Sequence, residues 1–216
     1  MWFLGKQYNS LIYWFLLIFT AFFLVWGNVF ITLSSFLLGL FWIFEGNYKN
    51  KILILVERKS PIFFLLIFFV IFGWAVAQLP SKESYRDIWE NAPFLIITIV
   101  LGSRERLTAS QFHVLLLVYI LSIVVNTLYC FIHFIYTSDL NTDIRLVSLF
   151  MSYIRLSLFT LIAIVVCVYY LFYNARIRVL RNEQIFLWIS LAWLIVFLLI
   201  ISSLTAYTAL IVLAII

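Results

Sequence analysis

Phe112-His113-Val114-Leu115-Leu116-Leu117-Val118-Tyr119-Ile120-Leu121-Ser122-Ile123-Val124-Val125-Asn126-Thr127-Leu128-Tyr129-Cys130-Phe131-Ile132-His133-Phe134-Ile135-Tyr136 runs without a single Asp, Glu, Lys or Arg. At about 1.5 Å per residue such a stretch outreaches the ~30 Å hydrocarbon core of a bilayer, so it reads as a transmembrane helix. Further apolar runs lie on either side, over residues 11–26, 29–44, 61–79, 85–102, 156–173 and 185–202, of which only 85–102 carries charges, and an eighth begins near Leu204. The composition agrees, with 66% hydrophobic and 11% charged residues and a mean hydropathy of +1.16, well beyond the near-even apolar share of a water-soluble domain. The expected fold is all-α, a polytopic transmembrane helix bundle of about seven complete spans plus the start of an eighth, forming a single helical domain over residues 1–216.

Short polar segments separate the runs: Gly27-Asn28, then residues 46–59, 80–84, 103–111, 137–155 and 174–184. A Lys or Arg at mid-membrane costs ~2.5–3.5 kcal/mol on the insertion scale, so the charges mark loops. With the N-terminus in the cytoplasm, the inner segments hold ten of the fourteen basic residues, namely Lys6, Lys49, Lys51, Arg58, Lys59, Arg104, Arg106, Arg176, Arg178 and Arg181. The outer ones hold Lys82, Arg86, Arg145 and Arg155. This asymmetry predicts a multi-pass protein of the bacterial inner membrane with a cytoplasmic N-terminus. The net charge of +5 is then a topology signal; anionic membrane lipid suffices as its partner, and no nucleic acid is called for. Lys6 and the apolar run after it lack a small-residue cleavage site and read as a retained span rather than a signal peptide.

The run over residues 85–102 is the least uniform. Ser84-Tyr85-Arg86-Asp87 has capping-box character, Pro93 is expected to kink the helix, and Gly102 is expected to supply a left-handed stop. Cys130 and Cys167 lie inside spans, where neither a disulfide framework nor a metal site is indicated. No Walker loop, dinucleotide fingerprint, zinc motif or nucleophile elbow is present. The polar groups of interest cluster on the expected outer face. His133, followed by Asp139, Asp143, Arg145 and Arg155, could serve as acid or base, or simply sit at the interface beside a solvated loop. Arg155 opens a span, where its guanidinium either forks around a phosphate or snorkels as an ordinary flank. The apolar 146–151 segment between the two arginines suggests a re-entrant or surface-lying piece. Asn126 and Gln78 are expected to hydrogen-bond between helices, and His113 to mark a span boundary.

Four strings carry a family resemblance: Phe44-Glu45-Gly46-Asn47-Tyr48-Lys49, Asp87-Ile88-Trp89-Glu90-Asn91-Ala92-Pro93-Phe94, Ser152-Tyr153-Ile154-Arg155-Leu156-Ser157-Leu158 and Ser202-Ser203-Leu204-Thr205-Ala206-Tyr207. In order and topology they resemble the N-terminal part of the bacterial O-antigen ligase and O-antigen polymerase family. The chain departs from that pattern with Asn91 for a usual Lys, Tyr153 for a usual His and Leu204 for a common Arg. The resemblance implies transfer of a glycan from an undecaprenyl diphosphate carrier to an acceptor sugar outside the cytoplasmic membrane, without metal or other cofactor. Arg155 is the residue carried over as a diphosphate ligand, while Arg145 and Arg86 are chosen by side alone and His133 as a possible acid or base. The family's large His-bearing outer loop would fall beyond Ile216, so a 216-residue chain is expected to be an incomplete architecture, inactive alone. A small permease-like transporter and a non-catalytic membrane subunit are the alternatives.

Overall fold

A computed structural model describes residues 6–57, 69, 73, 93, 96–104, 107–137, 147–173 and 181–201. The described residues form helices joined by short turns and contain no strand. The elements in chain order are α1 (Lys6–Phe23), α2 (Asn28–Glu45), α3 (Tyr48–Glu57), α4 (Ala109–Thr137), α5 (Tyr153–Val168) continued by a π-helical turn (Tyr169–Tyr173), and α6 (Arg181–Ile201). Four helices among the described residues are long and apolar enough to cross a membrane: Asn28–Glu45, Ala109–Tyr136, Tyr153–Phe172 and Arg181–Ile201. Their limits match the expected spans over 29–44, 112–136, 156–173 and 185–202 to within a few residues. Apart from residues 69, 73 and 93, the span expected over 61–79 and the first part of that over 85–102 lie outside the described residues, as does the start of the eighth.

Two sequence expectations are corrected. The 46–59 segment is not an extended polar loop, because Tyr48–Glu57 is helical. Gly46 (φ 69°) and Asn47 (φ 56°) both take left-handed backbone, which reverses the chain in two residues and lets a new helix start at once. Gly102 is not a left-handed stop, because it remains helical. A Cβ there would lie 2.9 Å from Leu55 Cδ1, so what Gly102 supplies is close approach of α3.

The chain divides into two compact units, one of residues 1–20 and 28–107 and the other of residues 21–27 and 108–216. In the second unit α4, α5 and α6 share a core of Tyr119, Ile120, Ile123, Ala163, Ile164, Cys167, Leu187, Leu191, Leu194 and Leu198, into which Val25 is inserted. A smaller cluster joins Cys130, Val147, Leu156, Phe197 and Ile201. Val147 is buried there, so this part of the apolar 146–151 segment is tucked against the helices. Helix α4 starts with a reciprocal cap: Gln111 N–H donates to Thr108 Oγ1 at 3.2 Å and Thr108 N–H to Gln111 Oε1 at 3.0 Å. That pair satisfies two of the donors a helix N-terminus leaves open.

Candidate functional site

Within the first unit, the end of α2 carries a partly buried charge cluster. Glu45 pairs with Arg104 through Oε1, and its Oε2 lies 2.9 Å from Lys51 Nζ. Lys51 Nζ also donates to the Trp42 carbonyl at 2.7 Å and stands 4.7 Å from the Trp42 ring centre. The Arg104 guanidinium sits 3.8 Å above the ring of Tyr13. Trp42 Nε1 donates to Ser103 Oγ at 2.7 Å. One carboxylate thus balances two cations whose charges are further stabilised by aromatic faces, and a group this shielded from water holds its partners more tightly than a surface pair. The side chains of Glu45, Arg104 and Lys51 are 17%, 18% and 7% exposed. Sequence reading treated these three as orientation markers and, for Glu45, as part of a family string.

Within the second unit, polar side chains of α4 meet the backbone where α1 ends. Ser122 Oγ donates to the Phe22 carbonyl and accepts from Trp26 Nε1 at 3.0 Å. One turn on, Asn126 Nδ2 donates to the Val25 carbonyl at 3.0 Å, and Cys130 Sγ donates to Asn126 Oδ1 at 3.6 Å. The spacing of four puts these three residues on one face of α4. Asn126 therefore does what the sequence suggested, bonding between chain segments. Thr127, on the adjacent ridge, accepts from Trp193 Nε1 of α6 at 2.9 Å. Gln78 lies outside the described residues.

At the other end of α4, His113 is buried and its two ring nitrogens have no hydrogen-bond partner among the described residues. Its Nε2 is 3.6 Å from Glu183 Oε2, and its ring meets Tyr170 edge-on at 4.6 Å between centres. Tyr170 belongs to the π-helical turn. A boundary position was expected for His113; the structure instead packs it among three helices. An open apolar groove of about 430 Å³ runs beside it, lined by Val114, Leu117, Leu121 and Phe186 with Asn182 and Glu183 at one end.

The residues expected on the outer face are placed separately. Ser152 caps α5, its Oγ accepting from Arg155 N–H at 3.4 Å, and Arg155 is exposed in the first turn. His133 is half-buried and stacks on Tyr129 of its own helix at 6.5 Å. Arg145 and Arg86, with Asp139 and Asp143, lie outside the described residues. Cys130 and Cys167 are free thiols, both buried. No group of three or more His, Cys, Asp or Glu that could hold a metal occurs among the described residues.

No protein-family model, curated protein or solved structure matches the chain.

Of two features that sequence reading does not give, one carries a local signal and the other carries none. The Thr108 to Gln111 cap follows the Ser/Thr-x-x-Glu/Gln pattern and could have been found. The Glu45 cluster could not, because its members are 59 positions apart in the case of Arg104, and nothing local links them.

Proposed function

We propose that the chain is an inner-membrane protein of the O-antigen ligase and polymerase type, with a cytoplasmic N-terminus, about seven complete spans and the start of an eighth, and that its outer face engages an undecaprenyl diphosphate-linked glycan. The support is the ordered set of four family-like strings and the ten-to-four distribution of basic residues. The observation that carries the site is the geometry of the third string. Ser152 fixes the first turn of α5, and Arg155 is exposed on that turn. A guanidinium held at a helix start offers a planar fork of donors, which suits a diphosphate better than a point charge would. The permease alternative rests on two features, Asn126 as a polar group within a span and the Pro93 kink; with the Asn126 amide bonded to Val25 and its carbonyl to Cys130, the first of these lends that alternative no support.

The test is carrier affinity. Undecaprenyl diphosphate binding by wild type, Arg155→Lys and Arg155→Ala is measured in one detergent. Phosphate recognition predicts that Arg155→Lys binds about tenfold or more weakly, since a charge-assisted hydrogen bond is worth roughly 1.5–3 kcal/mol. Equal affinity in all three leaves Arg155 a snorkelling flank and removes the site. The orientation is tested by reporters fused after Arg181, expected in the cytoplasm, and after Asp143, expected in the periplasm.

A further inference from the structure

Helix α3 has three chemically distinct sides. Lys51 and Leu55, four positions apart, face the protein: Lys51 is held by Glu45 and the Trp42 carbonyl, and Leu55 lies where Gly102 permits close approach. Lys49, Ile52 and Leu53, related by steps of three and four, share a second side. There Ile52 and Leu53 are 55% and 56% exposed, and Lys49 is exposed at its start. Asn50 and Glu57, seven positions apart, form a polar flank and are both exposed.

We propose that α3 is an interfacial helix, with Ile52 and Leu53 immersed in the acyl-chain boundary of one leaflet and Lys49 at the level of anionic lipid phosphates. The ten described residues of the helix cover about 15 Å, half of a hydrocarbon core and too little by themselves to cross it. Two adjacent apolar side chains exposed just after the membrane-length helix α2 need a covering phase, and lipid is the one at hand. The charges select the lipid. Lys51 is paired with Glu45, whereas Lys49 stands exposed on the apolar side as a cation for an external anion, and Arg58 and Lys59 follow directly in sequence. Basic residues beside an apolar face are the signature of binding to anionic headgroups. The Asn50 and Glu57 flank is then turned to water. The left-handed Gly46-Asn47 turn and the Lys51 to Glu45 pair hold the helix in this attitude from its first residues. This inference is independent of the glycan-carrier reading and of which leaflet is the inner one.

Site-specific fluorescence tests it. Leu53→Cys and Asn50→Cys are each labelled with an environment-sensitive dye, and the chain is placed in nanodiscs of phosphatidylglycerol with phosphatidylcholine or of phosphatidylcholine alone. Wild type, with its two buried cysteines, is the labelling blank. The Leu53 label is expected to emit at shorter wavelength and to be quenched by nitroxides on the acyl chains, and the Asn50 label to be quenched by a water-soluble nickel chelate. Adding Lys49→Glu is expected to weaken acyl-chain quenching at position 53 at least twofold in phosphatidylglycerol discs, with little change in phosphatidylcholine alone. A Leu53 label quenched from water like the Asn50 label overturns the proposal. So does one shielded from both quenchers, which would mean that a second copy or another protein covers the face. A Lys49→Glu effect that is absent, or equal in both lipids, overturns the anionic-headgroup assignment.

Discussion

Asn126 and Val25 are joined across 101 positions of sequence by one hydrogen bond, from the side-chain amide of α4 to a backbone carbonyl just past the end of α1. The last carbonyls of a helix have no partner within it, and in an apolar setting each must find one elsewhere. Ser122 serves Phe22 in the same way one turn earlier. A polar face on an otherwise apolar helix is thereby used to finish another helix.

Asn126→Ala removes the amide without adding bulk at this buried position and leaves the Val25 carbonyl unsatisfied. The expected cost is about 1–3 kcal/mol. Thermal unfolding in detergent, followed by circular dichroism, should show a clearly lower Tm than wild type. An unchanged Tm would mean that water or lipid reaches the carbonyl.

Gly27 tests the turn itself. Its φ is +96°, and a Cβ there would stand 2.6 Å from the Phe150 carbonyl oxygen, so Gly27→Ala combines backbone strain with a collision against backbone that cannot move aside cheaply. A loss of about 2 kcal/mol or more is expected from two such terms. The control is Gly73→Ala, where a Cβ meets nothing within 4 Å of a helical glycine; it should be neutral or stabilising by up to about 1 kcal/mol. Equal behaviour of the two variants would contradict the packing at Gly27.

The Glu45 cluster predicts an asymmetry. Glu45→Gln removes the one carboxylate that, among the described residues, pairs with both Arg104 and Lys51 and leaves two cations in a poorly hydrated place, whereas Lys51→Met keeps the stem against Trp42 and leaves Glu45 paired with Arg104. The expected loss for Glu45→Gln is about 1–3 kcal/mol, below the 3–5 kcal/mol typical of a fully buried pair because these groups remain partly exposed. Lys51→Met should cost less. If the order is reversed in unfolding measurements, the carboxylate is not the centre of the cluster.

Cys130 and Cys167 are 1% and 0% exposed. Thiols packed this way are inert to reagents that need an accessible thiolate. A maleimide should modify neither in the folded protein and both after full denaturation, with mass spectrometry counting the adducts. Rapid labelling of either thiol in the native state would show that α4 or α5 is exposed where the structure buries it.

Much of this architecture was legible in the chain. Uninterrupted apolar runs longer than a bilayer is thick have few alternatives, which is why the limits of α2, α4, α5 and α6 fell close to where hydropathy placed them. The candidate outer-face residues were legible only as positions. Arg155 could be put at the start of a span, yet the Ser152 cap that fixes its turn emerged from backbone geometry. His113 read as a boundary residue because hydropathy sees a polar side chain near a span end. Its burial depends on Tyr170 and Glu183, which are brought to it by other helices.

The sequence by itself determined the all-helical class, the membrane setting and the approximate ends of the long helices, because those follow from the transfer free energy of each run taken alone. It did not determine which side of each helix faces another. A helix apolar all round carries little amphipathic signal, so the rotation that points Asn126 at Val25 is absent from any local pattern. Tertiary structure alone decided that Glu45 joins Lys51 to Arg104, that a presumed polar loop is the helix α3, and that Gly102 serves close packing rather than helix termination. Each of these depends on what approaches from elsewhere in the chain, and a residue's neighbours across space are set by packing and by the satisfaction of buried polar groups, not by the residues beside it in sequence.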